Sequence, residues 1–97
     1  MAAYVIAEID ITNPEGYKAY TQAVPATIAR YGGRFIVRGG GAEVLEGEWP
    51  PLRRVILEFP SADAARAWWD SPEYEKPRAM RRANSTGRLI LLEGFDG

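Results

Sequence analysis

The stretch between positions 31 and 41 constrains the fold more than any other part of the chain. It reads Tyr-Gly-Gly-Arg-Phe-Ile-Val-Arg-Gly-Gly-Gly, so a short run with strand character lies between glycines on both sides. Successive side chains of a strand point to opposite faces of a sheet. The alternation predicts one apolar face with Phe35 and Val37, and one partly charged face with Arg34, Ile36 and Arg38.

The charge balance and two absent residue types exclude several functional classes. The 97 residues are the size of a single domain, spanning 1–97, and 12 basic residues face 13 acidic ones. This balance argues against nucleic-acid or polybasic membrane binding, because both require a basic excess. Neither cysteine nor histidine occurs, which excludes disulfides, thiolate nucleophiles, Ser-His-Asp triads and sites with histidine ligands. We therefore expect no metal and no cofactor.

No targeting or membrane segment is predicted. The apolar run at the N-terminus is too short for a signal peptide and has no leading positive charge. No stretch approaches the roughly 20 apolar residues that a membrane span needs. A cytoplasmic location is the default expectation.

The remaining segments alternate between strand and helix patterns. Residues 3–11, 53–59 and 88–93 alternate as strands, and 62–69 and 72–83 have helical spacing. A first helix is predicted from Asn13-Pro14 to just before Gly32-Gly33, with Pro25 expected to kink or break it near Ala23-Val24. The connection 39–52 is rich in Gly, Glu and Pro, and we allow a short extra strand at Val44-Leu45.

The resulting order, strand-helix-strand-strand-helix-strand, predicts an α+β, ferredoxin-like βαββαβ fold with both helical regions on one face of an antiparallel sheet. One sheet face is predicted to be wholly apolar and to meet the helices. The opposite face mixes isoleucines with charges of both signs, a composition that fits a surface covered by a second subunit. We therefore expect a homodimer. The members of this mixed face are Tyr4, Ile6, Glu8, Arg34, Ile36, Arg38, Arg54, Ile56, Glu58, Arg88, Ile90 and Leu92.

Several motifs in a fixed order resemble one family across nearly the whole chain. They include Tyr31-Gly32-Gly33-Arg34, Leu45-Glu46-Gly47, Glu58-Phe59-Pro60-Ser61, Ser71-Pro72-Glu73-Tyr74 and Glu93-Gly94. Together they resemble the small bacterial DUF1330 proteins. The resemblance implies a dimeric α/β-barrel, in which the sheets of two subunits face each other. It implies no catalytic residues, because the family has no established activity.

Aromatic and arginine side chains coincide on the predicted elements and suggest a ligand cleft. Pockets are typically apolar with a few placed polar groups. We predict binding of a small anionic or aromatic organic molecule between the helices and the sheet, or at the dimer seam. The aromatic walls would be Tyr17, Tyr20, Trp68 and Tyr74, and the anion contacts would be Arg38 and Arg81.

Two other functional classes stay open. A cofactor-independent enzyme, similar to isomerases or monooxygenases, would use a carboxylate or a tyrosine as acid or base. Glu8, Asp10 and Glu58 are the carboxylates considered, while Arg38 is expected to form an ion pair with Glu46 or Glu58. A structural or interaction module is the third class. The sequence names no catalytic residue, and the glycines at 39–41 lack the features of a phosphate-binding loop.

Overall fold

The alternating segments form four antiparallel strands, and the segments with helical spacing form three helices. The computed structural model describes residues 1–96. The strands pair in the order β2-β3-β1-β4, and the predicted α+β ferredoxin-like fold is confirmed. In chain order, the elements are β1 (Ala3–Ile11), α1 (Pro14–Arg30), β2 (Arg34–Arg38), β3 (Arg53–Phe59), α2 (Ala62–Trp69), α3 (Pro72–Asn84) and β4 (Ser85–Glu93).

Local signals determine where the helices begin. Ser61 Oγ accepts a hydrogen bond from the backbone N–H of Ala64 at 3.1 Å, and Ser71 Oγ accepts one from Tyr74 at 3.2 Å. Each serine thus satisfies an amide that has no partner inside its helix. Asn13 precedes α1 without a side-chain cap. Its amide instead donates to Asn84 Oδ1 at 3.0 Å, which links the start of α1 to the end of α3.

Helix α1 continues through Pro25, so of the predicted kink or break near Ala23-Val24 the break does not occur. The helix ends just before Gly32-Gly33, as predicted. Gly32 has φ +79°, and the amides of Gly32 and Gly33 donate to the carbonyls of Ala29 and Ile28. This cap requires a positive φ that glycine adopts without steric cost.

The core lies between the helices and one face of the sheet. It combines alternate residues of β1 and β3 with the inward sides of the helices. Phe59, Trp68 and Tyr74 are its largest fully buried side chains. The Trp68 and Tyr74 rings pack with centroids 4.1 Å apart. We call the face of the sheet toward the helices the inner face and the opposite face the outer face.

A β-bulge changes the face of two residues of β2. Arg34 pairs with Glu58 and Phe35 with Leu57, but Val37 then pairs with Ile56, so Ile36 is the extra residue. Because one inserted residue reverses the alternation, Val37 lies on the outer face and Arg38 on the inner face. The predicted faces of these two residues are wrong for this reason.

The connection 39–52 contains no strand, so the extra strand at Val44-Leu45 is not formed. Arg54 fixes the end of this segment by donating to the carbonyls of Pro50 at 2.8 Å and Leu52 at 3.4 Å. Leu45 is almost fully exposed. Within residues 1–96, none of the three helices has the length and apolarity needed to cross a bilayer.

Candidate functional site

A narrow cleft lies between the inner face and the helices. Its apolar walls come from β1, β3 and α1, and its polar groups are three arginines, two tyrosines and a threonine. The cavity has a volume of about 30 Å³, room for roughly two water molecules. Those polar residues are Tyr17, Tyr20, Thr21, Arg38, Arg53 and Arg81.

Five of the six residues predicted to bind a ligand line this cleft: Tyr17, Tyr20, Arg38, Trp68 and Arg81. The sixth, Tyr74, is fully buried behind the wall. It contacts the cleft indirectly, because its hydroxyl lies 2.9 Å from the hydroxyl of Tyr20. Trp68 already donates its indole N–H to Thr27 Oγ1 at 3.1 Å, so it contributes an apolar wall.

A backbone carbonyl that Pro25 leaves without its helical donor holds Arg38 at the opening of the cleft. A proline inside a helix has no N–H to donate to the carbonyl four residues earlier, which here is the carbonyl of Thr21. Arg38 Nη2 donates to that carbonyl at 3.1 Å. Its guanidinium also lies 4.3 Å from the centroid of the Phe35 ring. Because Pro25 leaves the carbonyl of Thr21 free to accept this hydrogen bond, β2 is linked to α1.

A buried polar chain extends from Arg81 into the cleft. Arg81 is 5% exposed, and its Nε lies 3.4 Å from Tyr74 Oη, which bonds to Tyr20 Oη. Two hydroxyls that share one hydrogen bond retain a second proton to donate. Burial strongly raises the pKa of the Tyr20 phenol, and the adjacent Tyr74 raises it further. The Tyr20 phenol is thus neutral at physiological pH.

Arg53 is a charged cleft residue outside the set predicted from the sequence. Arg53 begins β3 and alternates onto the same sheet face as the buried Val55 and Leu57. This alternation was the sequence signal from which its inward position could have been predicted. Its Nε is buried and has no hydrogen-bond partner within the described residues 1–96. Its guanidinium carbon lies 5.9 Å from the centroid of the Tyr17 ring. Burial raises the pKa of Tyr17, and the nearby Arg53 charge partly offsets this effect.

Gly39 leaves the space that the Arg53 guanidinium occupies. A Cβ added at Gly39 would collide with Arg53 Nη1, and the φ of +68° also favours glycine there. The amide of Gly39 donates to the carbonyl of Arg54 at 2.9 Å. The first glycine after β2 therefore shapes the cleft, whereas a Cβ at Gly40 or Gly41 would meet open space.

No carboxylate lines the cleft among residues 1–96. The ion pairs of this part of the chain lie elsewhere, and none includes a cleft arginine. The expected pairs of Arg38 with Glu46 or Glu58 are wrong, because Glu58 bonds to Arg34 at 2.9 Å. Glu8 lies on the outer face, where hydrogen bonds from Arg88 and Arg54 hold its pKa below the usual value. It is a partner for arginine and not a raised-pKa acid.

Other side chains near α3 do not enter the cleft. Arg78 donates to the carbonyl of Trp69 at 2.6 Å and lies 5.2 Å from the Trp69 ring centroid. Trp69 itself borders an apolar groove of about 190 Å³ between α2 and β4. No cluster of three metal-ligating side chains occurs in the described 96 residues. Arg81 differs from its arginine neighbours on α3 because its side chain lines the cleft.

Comparison with known structures supports the fold. The protein RPA0582 of unknown function from Rhodopseudomonas palustris matches with a TM-score of 0.79 and 22% identity, over 99% of this chain and 84% of that chain. A variant of SnoaB, a cofactor-independent oxygenase from Streptomyces nogalater, matches with a TM-score of 0.69 and 15% identity, over 99% and 95% of the two chains. At these identities the likeness concerns the fold alone.

The sequence comparisons concern the family. No curated protein matches the chain. The family model described as "Domain of unknown function (DUF1330)" matches residues 2–95, nearly the whole length. The motifs around the strand after α1 and at the starts of α2 and α3 predicted the same assignment. The chain belongs to the DUF1330 family.

Proposed function

We propose that the protein binds a small organic anion in the cleft between the helices and the inner face. The proposal rests on one observation: three arginines, Arg38, Arg53 and Arg81, line a cleft that contains no carboxylate among the described residues. Arg81 is buried and Arg53 is partly buried, and a guanidinium withdrawn from water is costly without a compensating charge. An anion from solution would supply that compensation.

The surrounding groups support an organic anion with an apolar part. Most of the lining is aliphatic or aromatic, including Val55, Leu57 and Trp68. The tyrosine hydroxyls would donate to oxygens of the ligand. This combination of apolar walls with a few convergent donors is common in small-molecule sites.

A thermal-shift screen of organic acids, each beside its neutral amide, tests the proposal. We expect acids to raise the melting temperature more than their amides, and isothermal titration to give the affinities. Arg81→Ala and Tyr17→Phe should weaken binding of the acids found. Arg82→Ala is the matched control, since Arg82 is the exposed neighbour on α3. Equal affinity in all four proteins would refute the site, and the absence of any ligand would favour a structural or interaction module.

A cofactor-independent enzyme is the second candidate function. The fold similarity to SnoaB, described as a cofactor-independent oxygenase, favours it. The arginines and tyrosine hydroxyls would stabilise negative charge that develops on a substrate oxygen. Because burial raises the pKa of Tyr17 and Tyr20, a tyrosine in this cleft would act as a proton donor. A substrate that ionises without help from a protein carboxylate would suit the site.

Recovery of the ligand separates binding from catalysis. Each acid that binds is incubated in air with a stoichiometric excess over protein, and then analysed by mass spectrometry. Unchanged ligand after many hours supports a binding protein. Conversion that requires the protein, and that Tyr17→Phe or Arg81→Ala slows, supports an enzyme.

We also propose that the protein is a homodimer formed through the outer face. Exposed apolar side chains cluster there around the ion pairs of Glu8 and Glu58. An exposed apolar patch with a polar surround is typical of protein interfaces. Light scattering at micromolar concentration tests this, and the mass of a single chain would overturn it. The exposed members are Ile36, Val37, Ile90 and Leu92.

A further inference from the structure

We propose that the ligand of the cleft is a monocarboxylate that enters head-first and bonds to Arg53, with its organic part at the opening beside Phe35 and Arg38. The inference rests on the proposed function and adds the chemical class and orientation of the ligand. It follows from the unpartnered atom of Arg53, the small cavity, and the character of the opening.

The donors of Arg53 indicate which chemical group would bind there. Its Nε is buried and has no acceptor within the described 96 residues. Guanidinium groups present their N–H donors as a planar fork, which matches the two oxygens of a carboxylate. A carboxylate placed against this fork would provide both the missing acceptor and the missing charge.

Neighbouring residues hold the Arg53 guanidinium in place. Packing fixes the guanidinium: the Tyr17 ring lies on one side, with its centroid 5.9 Å from Cζ, and the backbone of Gly39 leaves room on another. No carboxylate of residues 1–96 lies within ion-pair distance of it. The group is therefore positioned in advance, and its Nε–H has no acceptor among residues 1–96. Such pre-organisation reduces the free-energy cost of binding.

The volume of the cavity limits the part of a ligand that can enter it. A cavity of about 30 Å³ accepts a head group of a few atoms and not a whole aromatic molecule. A three-atom carboxylate suits this volume better than a five-atom phosphate. The rest of the ligand must then lie where the lining is more exposed, and the exposed or half-buried lining residues include Thr21, Phe35 and Arg38.

The opening of the cleft combines a charged side chain with an aromatic one. The Arg38 guanidinium lies over the Phe35 ring at 4.3 Å, so a flat apolar surface and a cation adjoin there. An aromatic or short aliphatic chain would pack on Phe35, and Arg38 would add a second positive charge near the carboxylate. Arg38 and Arg53 lie near each other because Gly39 follows Arg38 and contacts Arg53.

Titration calorimetry with benzoate, phenylacetate and acetate tests the inference, with benzamide and inorganic phosphate as comparison ligands at equal ionic strength. We expect benzoate and phenylacetate to bind at least tenfold more tightly than benzamide or phosphate. Arg53→Met should weaken benzoate binding at least tenfold. Arg30→Met, which removes an exposed arginine on α1, should change it less than twofold.

Nuclear magnetic resonance provides a readout that does not depend on the stability of the Arg53→Met protein. The Nε–H signal of Arg53, assigned by its loss in Arg53→Lys, should shift on addition of benzoate to the wild-type protein. Arg53→Lys keeps the charge but loses the fork, so we expect it to bind benzoate several-fold more weakly.

The outcomes separate this inference from the proposed function. Carboxylates that bind without shifting the Arg53 signal, or with unchanged affinity for Arg53→Met, overturn the inference alone. The same holds if the organic-acid screen finds only phosphorylated or sulfonated ligands, or if only phosphate binds here. If no organic anion binds in either experiment, both proposals are wrong.

Discussion

The two faces of the sheet use arginine in opposite ways. On the outer face, Glu8 bonds to both Arg54, at 3.1 Å, and Arg88, at 2.6 Å, while Arg34 bonds to Glu58 at 2.9 Å. On the inner face, the cleft arginines have no carboxylate partner within residues 1–96. Residues 1–96 therefore supply carboxylate partners for the outer-face arginines and supply none for the cleft arginines.

This contrast distinguishes structural arginines from candidate binding arginines. A guanidinium already matched to a carboxylate has few donors left for another anion. Arg53 has a buried Nε–H without an acceptor among residues 1–96, so it has a donor available for an anion. Exposure by itself would mislead here, because Arg81 is among the most buried charged groups and Arg88 among the most exposed.

The largest expected effect concerns the packing behind the inner face. Trp68→Ala removes the largest fully buried side chain and its contacts with Phe59 and Tyr74. We expect a loss of about 3–5 kcal/mol in the free energy of unfolding, measured by urea denaturation. Trp49→Ala is the control on the exposed connection and should cost less than about 1 kcal/mol. Similar losses in both variants would contradict the assignment of the core.

The second prediction concerns the apolar part of the outer face. Ile90 is 56% exposed on β4. If two copies meet there, Ile90→Glu places an unpaired charge in the interface and should raise the dimer dissociation constant at least about tenfold. Sedimentation equilibrium measures it, with Ala26→Glu on the exposed side of α1 as the control. Equal dissociation constants for the two variants would argue against dimerisation through this face.

The third prediction compares two adjacent arginines on opposite faces. Arg53→Met removes a guanidinium with an unpartnered buried donor, so the ligand-free protein should be as stable as wild type or more stable by about 1 kcal/mol. Arg54→Met removes a partner of Glu8 and should lower stability. Urea denaturation of both variants, without added organic acids, makes the comparison. A clear loss for Arg53→Met would mean that the chain already compensates this charge.

The smallest expected effect concerns pH. Hydrogen bonds from Arg88 and Arg54 lower the pKa of Glu8 below its ordinary value of 4.5. A lowered folded-state pKa stabilises the protein above pH 4.5, and the contribution is lost as the pH falls through the folded-state value. Glu8→Gln should therefore reduce the difference in unfolding free energy between pH 6 and pH 3. Glu43→Gln, on the exposed connection, should leave this difference unchanged.

Some pH dependence should remain in Glu8→Gln. The pKa of Glu73 is also lowered, first by a backbone hydrogen bond at the start of α3 and then by the Tyr31 hydroxyl. It loses its contribution in the same direction. A variant with both substitutions should show the weakest dependence, and an unchanged slope in that variant would contradict the ion pairing of the outer face.

Much of the candidate site could be predicted because its signals are local. Helical spacing placed Tyr17 and Tyr20 on the inward side of α1, and the serine caps determined the starts of α2 and α3. The site residues missed or misplaced depend on contacts distant in sequence. The bulge that brings Arg38 to the inner face exists only through pairing with β3. The lack of an ion-pair partner for Arg53 among residues 1–96 depends on where their carboxylates lie.

The sequence by itself determined the order of elements, the family and the exclusion of histidine and cysteine chemistry. The order of elements follows from alternation and capping residues, the excluded chemistry follows from composition, and the family follows from a resemblance carried by several short motifs. Only the tertiary structure decided which arginines have partners. Ion pairing depends on distances between strands and helices far apart in the chain, such as Glu8 and Arg88. The same folding that joins those two charges leaves Arg53 without a carboxylate partner in the described part of the chain.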